Sequence, residues 1–500
     1  MTTTLSGVPW LLVVTGLALL AGVLPELRRP AARRLALGLA LTTVATFALH
    51  RAISEPSFFH QNGHGPMRVG QALCDTSTLG AGFTEVFGAV AGLDPQHAET
   101  LVFRAQGALA ALAPAAAYLT ASAVGAGPAL AAGLALVTAT EPVLVRMAWT
   151  ESYYATCTSL LFVAAAVLAG WPRRGARSDA RAVLAAACAG LIVAQAARTH
   201  PLCWPAAAML PLVTAVRPGD TRTRLRQTLM TAAVIAVAVV ATSGGEMLHV
   251  LQSGQGQSWV AHVSLFDTIG SRISPGRVLL VVVLGYWLRS EALAVTGLLA
   301  TVVVARLTDL HAGSPPWVHA AYYRQFAPVA IAAVATLLAH WPGRRLWPGR
   351  LAVAAGLAVS AARFPSLQVQ ATDEREQTAM RAWRELIPPD ATLVWVARAG
   401  QRVLTLPIYG DCSDFPSGGV AAGEPLRPLA SFGPKVYYYR SSLCSSADGR
   451  ARCEALEAGA NLVPVAHASI AARESMGGMG FDRDPVEVAL FRFEPPAPPP

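Results

Sequence analysis

Blocks of predominantly apolar residues, each about 15 to 22 long, recur from residue 8 to residue 364 and then stop. That is the length a helix needs to cross a bilayer, and it constrains the fold more than any other feature of the chain. With 53% hydrophobic and 14% charged residues arranged in blocks, the chain reads as a polytopic membrane protein rather than a soluble one. Candidate spans fall near 8–25, 35–53, 101–122, 127–145, 153–171, 182–199, 202–216, 228–244, 276–288, 290–307, 326–341 and 348–364. The expected fold class is therefore an all-α helix bundle of about 12 spans followed by a small C-terminal extracytoplasmic α/β domain.

The formal charge of +9 would point to nucleic acid in a soluble protein. Here the basic residues gather in short loops between spans, where they set orientation, so nucleic acid is not an expected partner and membrane lipids are. When the spans alternate, "RRPAARR" (28–34), "PRRGARSDAR" (172–181), "RPGDTRTRLR" (217–226), Arg289 and "PGRRLWPGR" (342–350) all land on the cytoplasmic side. The first block has no basic residue before it and is followed by "RRPAARR", the reverse of a secretory signal, so it is expected to be a retained helix with its N-terminus outside.

Three units follow: a transmembrane domain over 1–364, an outer α/β domain over 365–493 and a Pro-rich tail over 494–500. In the second, "DEREQTAMRAWREL" reads as an amphipathic helix, and "ATLVWVA", "KVYYYRSS" and "VEVALFRF" as strands. The tyrosines of "YYYR" (437–440) alternate faces of a strand and are expected in the domain core. Of 7 cysteines, Cys444 and Cys453 flank a polar turn in this outer region. An oxidising exterior permits a bridge there, and the spacing does not choose it over two free thiols. Cys157 and Cys188 read as packing residues inside apolar helices, and Cys203 lies near an outer helix end.

The densest polar cluster is "SEPSFFHQNGHGPMRVG" (54–70), which opens an outer segment reaching residue 100 with Glu55, His60, His64, Arg68, Asp75, Glu85 and Asp94. A plain connector in a bundle runs about 2–8 residues, so this segment is too long to be only that. The glycines and Pro66 of "NGHGP" break a helix, so His60 and His64 are not an i, i+4 metal pair. "GAGFTEVFGAVAGL" reads as a short amphipathic helix lying on the membrane surface. A second polar knot lies in "ATEPVLVRMAWTESYYATC", where Pro142 closes the regular part of one helix and Glu151 opens the next at the outer mouth. There is no P-loop, no zinc-protease helix motif and no repeat period.

In order and spacing these features resemble the GT-C superfamily, integral membrane glycosyltransferases (mannosyltransferase- or arabinosyltransferase-like) that use a polyprenyl-phosphate-linked sugar. Glu55 follows an outward-going helix and precedes "HGPM", similar to the family's His-Pro element. The run from "FRAQGALAALAP" to "RMAWTESYYA" resembles the helix pair leading to a second outer acid, Glu151, and "HAAYYRQFAPVAIAAVATLL" resembles a late arginine and tyrosine segment. The chain departs from the family in carrying a lone Glu55 where many members have Asp or Asp-Glu, and in having one helix before the usual first span.

The resemblance implies an enzyme, an inverting hexosyl- or pentosyltransferase that moves a sugar to a lipid, glycan or protein acceptor outside the cytoplasm. Glu55 and Glu151 are its candidate catalytic acids, either of which is alternatively a solvated helix-end carboxylate. His60, His64, Arg68, Arg198, Tyr323 and Arg324 are candidate substrate-binding residues. An arginine at an outer helix end can fork onto a phosphate, or with tyrosines form an interfacial anchor. Asp75, Glu85 and Asp94 are expected to be solvated faces or caps. No organic cofactor is implied, and a divalent metal is compatible with the chemistry. The alternatives are a non-enzymatic transporter or flippase-like protein, for which "HPLCWPAAAMLP" offers a helix interruption, and a GT-C scaffold that has lost catalysis.

Overall fold

A computed structural model of the chain describes residues 10–23, 28–54, 56, 64–73, 81–94, 97–170, 178–200, 203–252, 324–339, 347–367, 379, 382–388, 390–399, 419–422, 428–445, 447–470, 473–476, 479–482 and 485–495. The helices are α1 (Trp10–Val23), α2 (Pro30–Ile53), α3 (His64–Leu73), α4 (Gly82–Ala91), α5 (Ala98–Ala110), α6 (Leu112–Ala123), α7 (Pro128–Ala139), α8 (Pro142–Ala148), α9 (Tyr153–Gly170), α10 (Ser178–Thr199), α11 (Trp204–Met209), α12 (Leu212–Ala215), α13 (Thr221–Gln252), α14 (Ala327–Ala339) and α15 (Trp347–Leu367). Most of them overlap the apolar blocks, but α3 and α4 lie between two of those blocks and the block near 202–216 holds two short helices; the blocks at 276–288 and 290–307 lie outside the described residues.

Among the described residues, five helical stretches are long and apolar enough to cross a membrane: Pro30–Ile53, Ala98–Ala123, Tyr153–Gly170, Ala180–Thr199 and Thr221–Gly245. α7 and α8 make a sixth if their 56° bend is taken as one broken span. α2 and α13 leave Leu37, Leu41, Val44, Leu229, Val237 and Val240 exposed along their length, as a lipid-facing surface would. This apolar helical body is of the kind found in membrane proteins.

The inner core is built from small residues, which let helices approach closely where burial of apolar surface gives no advantage over lipid. α6, α7, α9 and α10 meet through Ala117, Ala121, Ala131, Ala164, Ala165, Ala189 and Ala196. A second core joins α3, α4, α5 and the end of α8 through Val69, Phe83, Phe87, Phe103 and Trp149. Burying Phe83, Phe87 and Phe103 contributes about 1.5–3 kcal/mol each where the alternative is water. Phe47 and Arg51 of α2 pack on Trp149, with ring centroids 5.0 Å apart and the guanidinium 5.5 Å above the ring. Trp149 in turn lies on Gly107, where a Cβ would stand 3.0 Å from the indole.

Pro142 starts a helix rather than closing one. The break comes at Thr140–Glu141, and Pro142 occupies the first position of α8, where its missing N–H costs nothing. Glu141 caps α8 by accepting from the Leu144 N–H at 2.8 Å. Pro66 behaves similarly: α3 begins at His64 and runs through it, because proline is tolerated in a first turn. α4 is helical as expected, yet its apolar face packs on α3, α5 and α10 rather than being left for a membrane surface.

The C-terminal region forms a mixed five-stranded sheet of order β2-β1-β3-β7-β4, from β1 (Thr392–Ala399), β2 (Gly419–Ala422), β3 (Val436–Arg440), β4 (Asn461–Ile470) and β7 (Val486–Glu494). β5 (Arg473–Met476) and β6 (Met479–Asp482) form a separate hairpin. Both sheet faces are covered, so consecutive residues are buried: Tyr438 faces α16 (Ala447–Glu457) and Cys453, and Tyr439 faces Trp383 and Leu490. Of "DEREQTAMRAWREL", residues 379 and 382–383 are helical and 384–386 form a 3₁₀ turn; the remainder lies outside the described residues. Gly459, at φ +72°, turns the chain from α16 into β4. Cys444 and Cys453 are joined by a disulfide.

Candidate functional site

α9 and α10 form an antiparallel pair whose connecting stretch is the arginine-bearing 171–177. Their other ends therefore meet at Tyr153 and His200, whose rings stack in parallel planes with centroids 4.2 Å apart. Tyr154 leans on the same histidine, and the Tyr153 hydroxyl donates to the Tyr154 hydroxyl at 3.2 Å. On Tyr153 lies the guanidinium of Arg68 from α3, 5.0 Å from the ring centroid. Arg68 is 3% exposed, donates to Gln71 Oε1 at 3.4 Å, and has a buried Nε with no hydrogen-bond partner among the described residues. Burial pulls the Arg68 guanidinium down from its usual value, and the neighbouring Tyr153, Tyr154 and Glu151 push it back up.

Glu151 sits in the turn between α8 and α9 and is fully buried. Thr150 fixes that turn from both sides: its hydroxyl donates to the Met147 carbonyl at 2.7 Å and accepts from the Ser152 N–H at 3.1 Å. Thr156, one turn into α9, ties the element to α5 through Gln106 at 2.7 Å. The structure thus brings Glu151 and Arg68 into one buried polar cluster with Tyr153, Tyr154 and His200. A carboxylate, a fixed cation and a column of rings can together orient a polar ligand and stabilise an anion.

The other candidates are engaged elsewhere. Arg198 pairs with Glu85 of α4, which also accepts from Gln195 Nε2 at 3.0 Å, so Glu85 is a tie between α4 and α10 rather than a solvated acid. Two partly buried opposite charges facing across one helix contact explain that correction. Arg324 pairs with Glu141 at the α7–α8 break. Asp94 is solvent-exposed and bonded to His97 at 2.8 Å, as a surface residue would be. His64 is the first residue of α3. Glu55, His60, Asp75 and Tyr323 lie outside the described residues.

Sequence reasoning missed His50. Its Nε2–H donates to the Ala139 carbonyl at 2.8 Å, satisfying an acceptor that the end of α7 leaves open. The signal for it is a lone histidine near the end of an apolar helix. His200 and Tyr153 were readable only as polar residues at helix ends, because their stacking depends on the α9–α10 pairing.

Among the described residues no group of three or more His, Cys, Asp or Glu is placed to hold a metal ion. Compared with known proteins, the chain matches no family model, no curated protein and no solved structure.

Proposed function

We propose that the protein is a polytopic membrane glycosyltransferase of GT-C type. It moves a sugar from a polyprenyl-phosphate donor to a lipid, glycan or protein acceptor on the outer face of the cell membrane. The observation that carries this reading is the buried Arg68 guanidinium, with Nε unpartnered among the described residues, stacked on Tyr153 beside the buried Glu151.

In this mechanism the acceptor hydroxyl loses its proton to a carboxylate, Glu151 or Glu55, as its oxygen bonds the sugar's anomeric carbon. The bond from that carbon to the phosphate oxygen breaks, and the polyprenyl phosphate leaves with the electron pair. Charge grows on the departing phosphate, and Arg68 is a preorganised cation to meet it. Tyr153 and His200 hold that cation in place from below.

Sidedness supports the same reading. The cluster lies at the ends of α9 and α10 remote from the basic 171–177 connection, and His50 lies at the end of α2 remote from "RRPAARR". Basic loops favour the cytoplasm, which leaves the cluster outside. The Cys444–Cys453 disulfide suits an extracytoplasmic C-terminal domain. About 12 spans in all fit this topology.

A second reading, a transporter or flippase-like carrier, is favoured by one observation: the 56° break between α7 and α8, since broken helices line many transport sites. The deciding experiment is sugar transfer from a labelled polyprenyl-phosphate donor by purified protein, with Glu151→Gln and Glu55→Gln beside the wild type. Transfer that falls in one or both variants is expected. Wild-type protein that moves the lipid across vesicles without any transfer would replace the enzyme by the carrier.

A further inference from the structure

Glu141 is extended (φ −64°, ψ 119°), so helical hydrogen bonds cannot run across it, and α7 and α8 meet there at 56°. Three contacts stand at this elbow. His50 of α2 donates from Nε2 to the Ala139 carbonyl at 2.8 Å, in place of the helix donor that the break removes. Glu141 accepts from the Leu144 N–H through Oε2 at 2.8 Å, which caps α8. Its other oxygen, Oε1, accepts from the Arg324 guanidinium, which belongs to the short 3₁₀ turn Arg324–Phe326 leading into α14. One carboxylate thus orders the first turn of α8 and ties it to a segment 183 residues away.

The far end of α8 is held by the same face of α2. Phe47, His50 and Arg51 are spaced i, i+3 and i+4, so they share one side of that helix. His50 meets the last residue of α7, while Phe47 and Arg51 lie on Trp149, the residue after α8. α2 therefore bridges the break like a splint. α8 is 7 residues long, about 10 Å, and Thr150 fastens the Glu151 turn to its last turn through the Met147 carbonyl. Whatever sets the elbow therefore also sets the place of Glu151.

We propose that His50, Glu141 and Arg324 are positioning residues, which brace the α7–α8 elbow and through α8 fix where Glu151 stands. This rests on the transferase reading of the Glu151 site, and it takes Arg324 out of the set of phosphate ligands. A rotation of α8 by about 10° at the elbow would carry its far end about 2 Å. A misplacement of about 1 Å is enough to cost about 100-fold in rate. A brace and a gate make opposite demands on the same ion pair. A carrier that rocks at this break must part Glu141 from Arg324 in each cycle, whereas a transferase keeps them joined.

The test uses full-length protein in lipid nanodiscs, with kcat and KM for a labelled polyprenyl-phosphate sugar and hydrogen exchange over residues 142–152. The variants are His50→Leu, His50→Gln, Arg324→Gln, Arg324→Lys, Glu141→Gln and the double Glu141→Gln with Arg324→Gln. The expected result is a kcat lowered about 10- to 100-fold in His50→Leu and Arg324→Gln, with KM for the donor lipid unchanged within about twofold. The double should be no slower than its slower single, because the two groups act as one. His50→Gln keeps an N–H for the Ala139 carbonyl and Arg324→Lys keeps the charge, so both should recover part of kcat. Exchange over 142–152 should quicken in the variants that lose kcat. A KM raised with kcat unchanged in Arg324→Gln, or losses that multiply in the double, would make Arg324 a substrate ligand and overturn the proposal. Exchange over 142–152 that matches wild type in every variant overturns it as well. Quickened exchange beside a wild type that transfers no sugar would uphold the brace and remove the transferase reading.

Discussion

Replacing Gly82 by alanine tests whether α4 is seated on α10, whose last turn carries Arg198 and leads into His200 of the polar cluster. A Cβ at Gly82 would stand 2.3 Å from Thr199 N, 2.5 Å from Arg198 C and 2.8 Å from Thr199 Cα. These are backbone atoms, with no flexible side chain to give way, so the two helices must part by about 1 Å to restore ordinary contact. Overpacking of this kind costs about 1–3 kcal/mol, and the backbone obstacle puts Gly82→Ala at the upper end. The separation also strains the Gln195 Nε2 donation to the Gly82 carbonyl at 3.1 Å and the adjoining Glu85–Arg198 pair. Gly38→Ala is the reference, since nothing lies within 4 Å of its Cβ in α2. It should be neutral or stabilising by about 0.5–1 kcal/mol through helix propensity. Gly107→Ala, 3.0 Å from the Trp149 ring, should fall between them. Thermal denaturation of detergent-solubilised protein, compared by half-life at one temperature, ranks the three. Gly82→Ala as durable as Gly38→Ala would mean that α4 is not held against α10.

Two further outcomes follow from named contacts. In a double-mutant cycle of Glu85→Gln and Arg198→Gln, each single change should destabilise more than its share of the double, with a coupling of about 0.5–3 kcal/mol by unfolding; zero coupling would make the pair ornamental. Asp220, at the start of α13, is hydrogen-bonded by the Thr223 side chain and accepts from the Thr223 N–H at 2.9 Å, and these bonds hold its carboxyl below the usual value. A lowered folded value means the cap's contribution is present above about pH 4 and is lost as pH falls through the folded value. Hydrogen exchange at the first turn of α13 should therefore loosen in acid, and Asp220→Asn should abolish the pH dependence; an identical acid response in the variant would contradict the assignment.

Much of the fold was legible because hydrophobic block length maps directly onto helix length. The apolar stretches near 153–171 and 182–199 become α9 and α10 within a few residues. β1, β3 and β7 were readable from their β-branched and aromatic runs, whereas β4 was not. It is an edge strand with Pro464 inside it and alanine, serine and histidine alternating along it, a composition that only the free side of a sheet tolerates. The acids and arginines of the outer segments were recognisable as residue types, but their partners were not. Glu85 meets Arg198 across 113 residues of chain, and Arg324 meets Glu141 across 183, so pairing follows helix packing and no local spacing encodes it. Arg68 differs because its neighbour is a ring. Nothing in "HGPMRVG" announces that its guanidinium will be buried on Tyr153.

The account rests on that buried cation reading a lipid-borne phosphate. Affinity for polyprenyl monophosphate, measured on protein in lipid nanodiscs, tests it most directly, with Arg68→Gln and Arg68→Lys beside the wild type and their thermal midpoints recorded. Loss of a hydrogen-bonded charge should weaken binding about 10- to 100-fold in Arg68→Gln, with Arg68→Lys recovering part because it keeps the charge and loses the planar fork. Undiminished affinity in a folded Arg68→Gln protein would contradict the account.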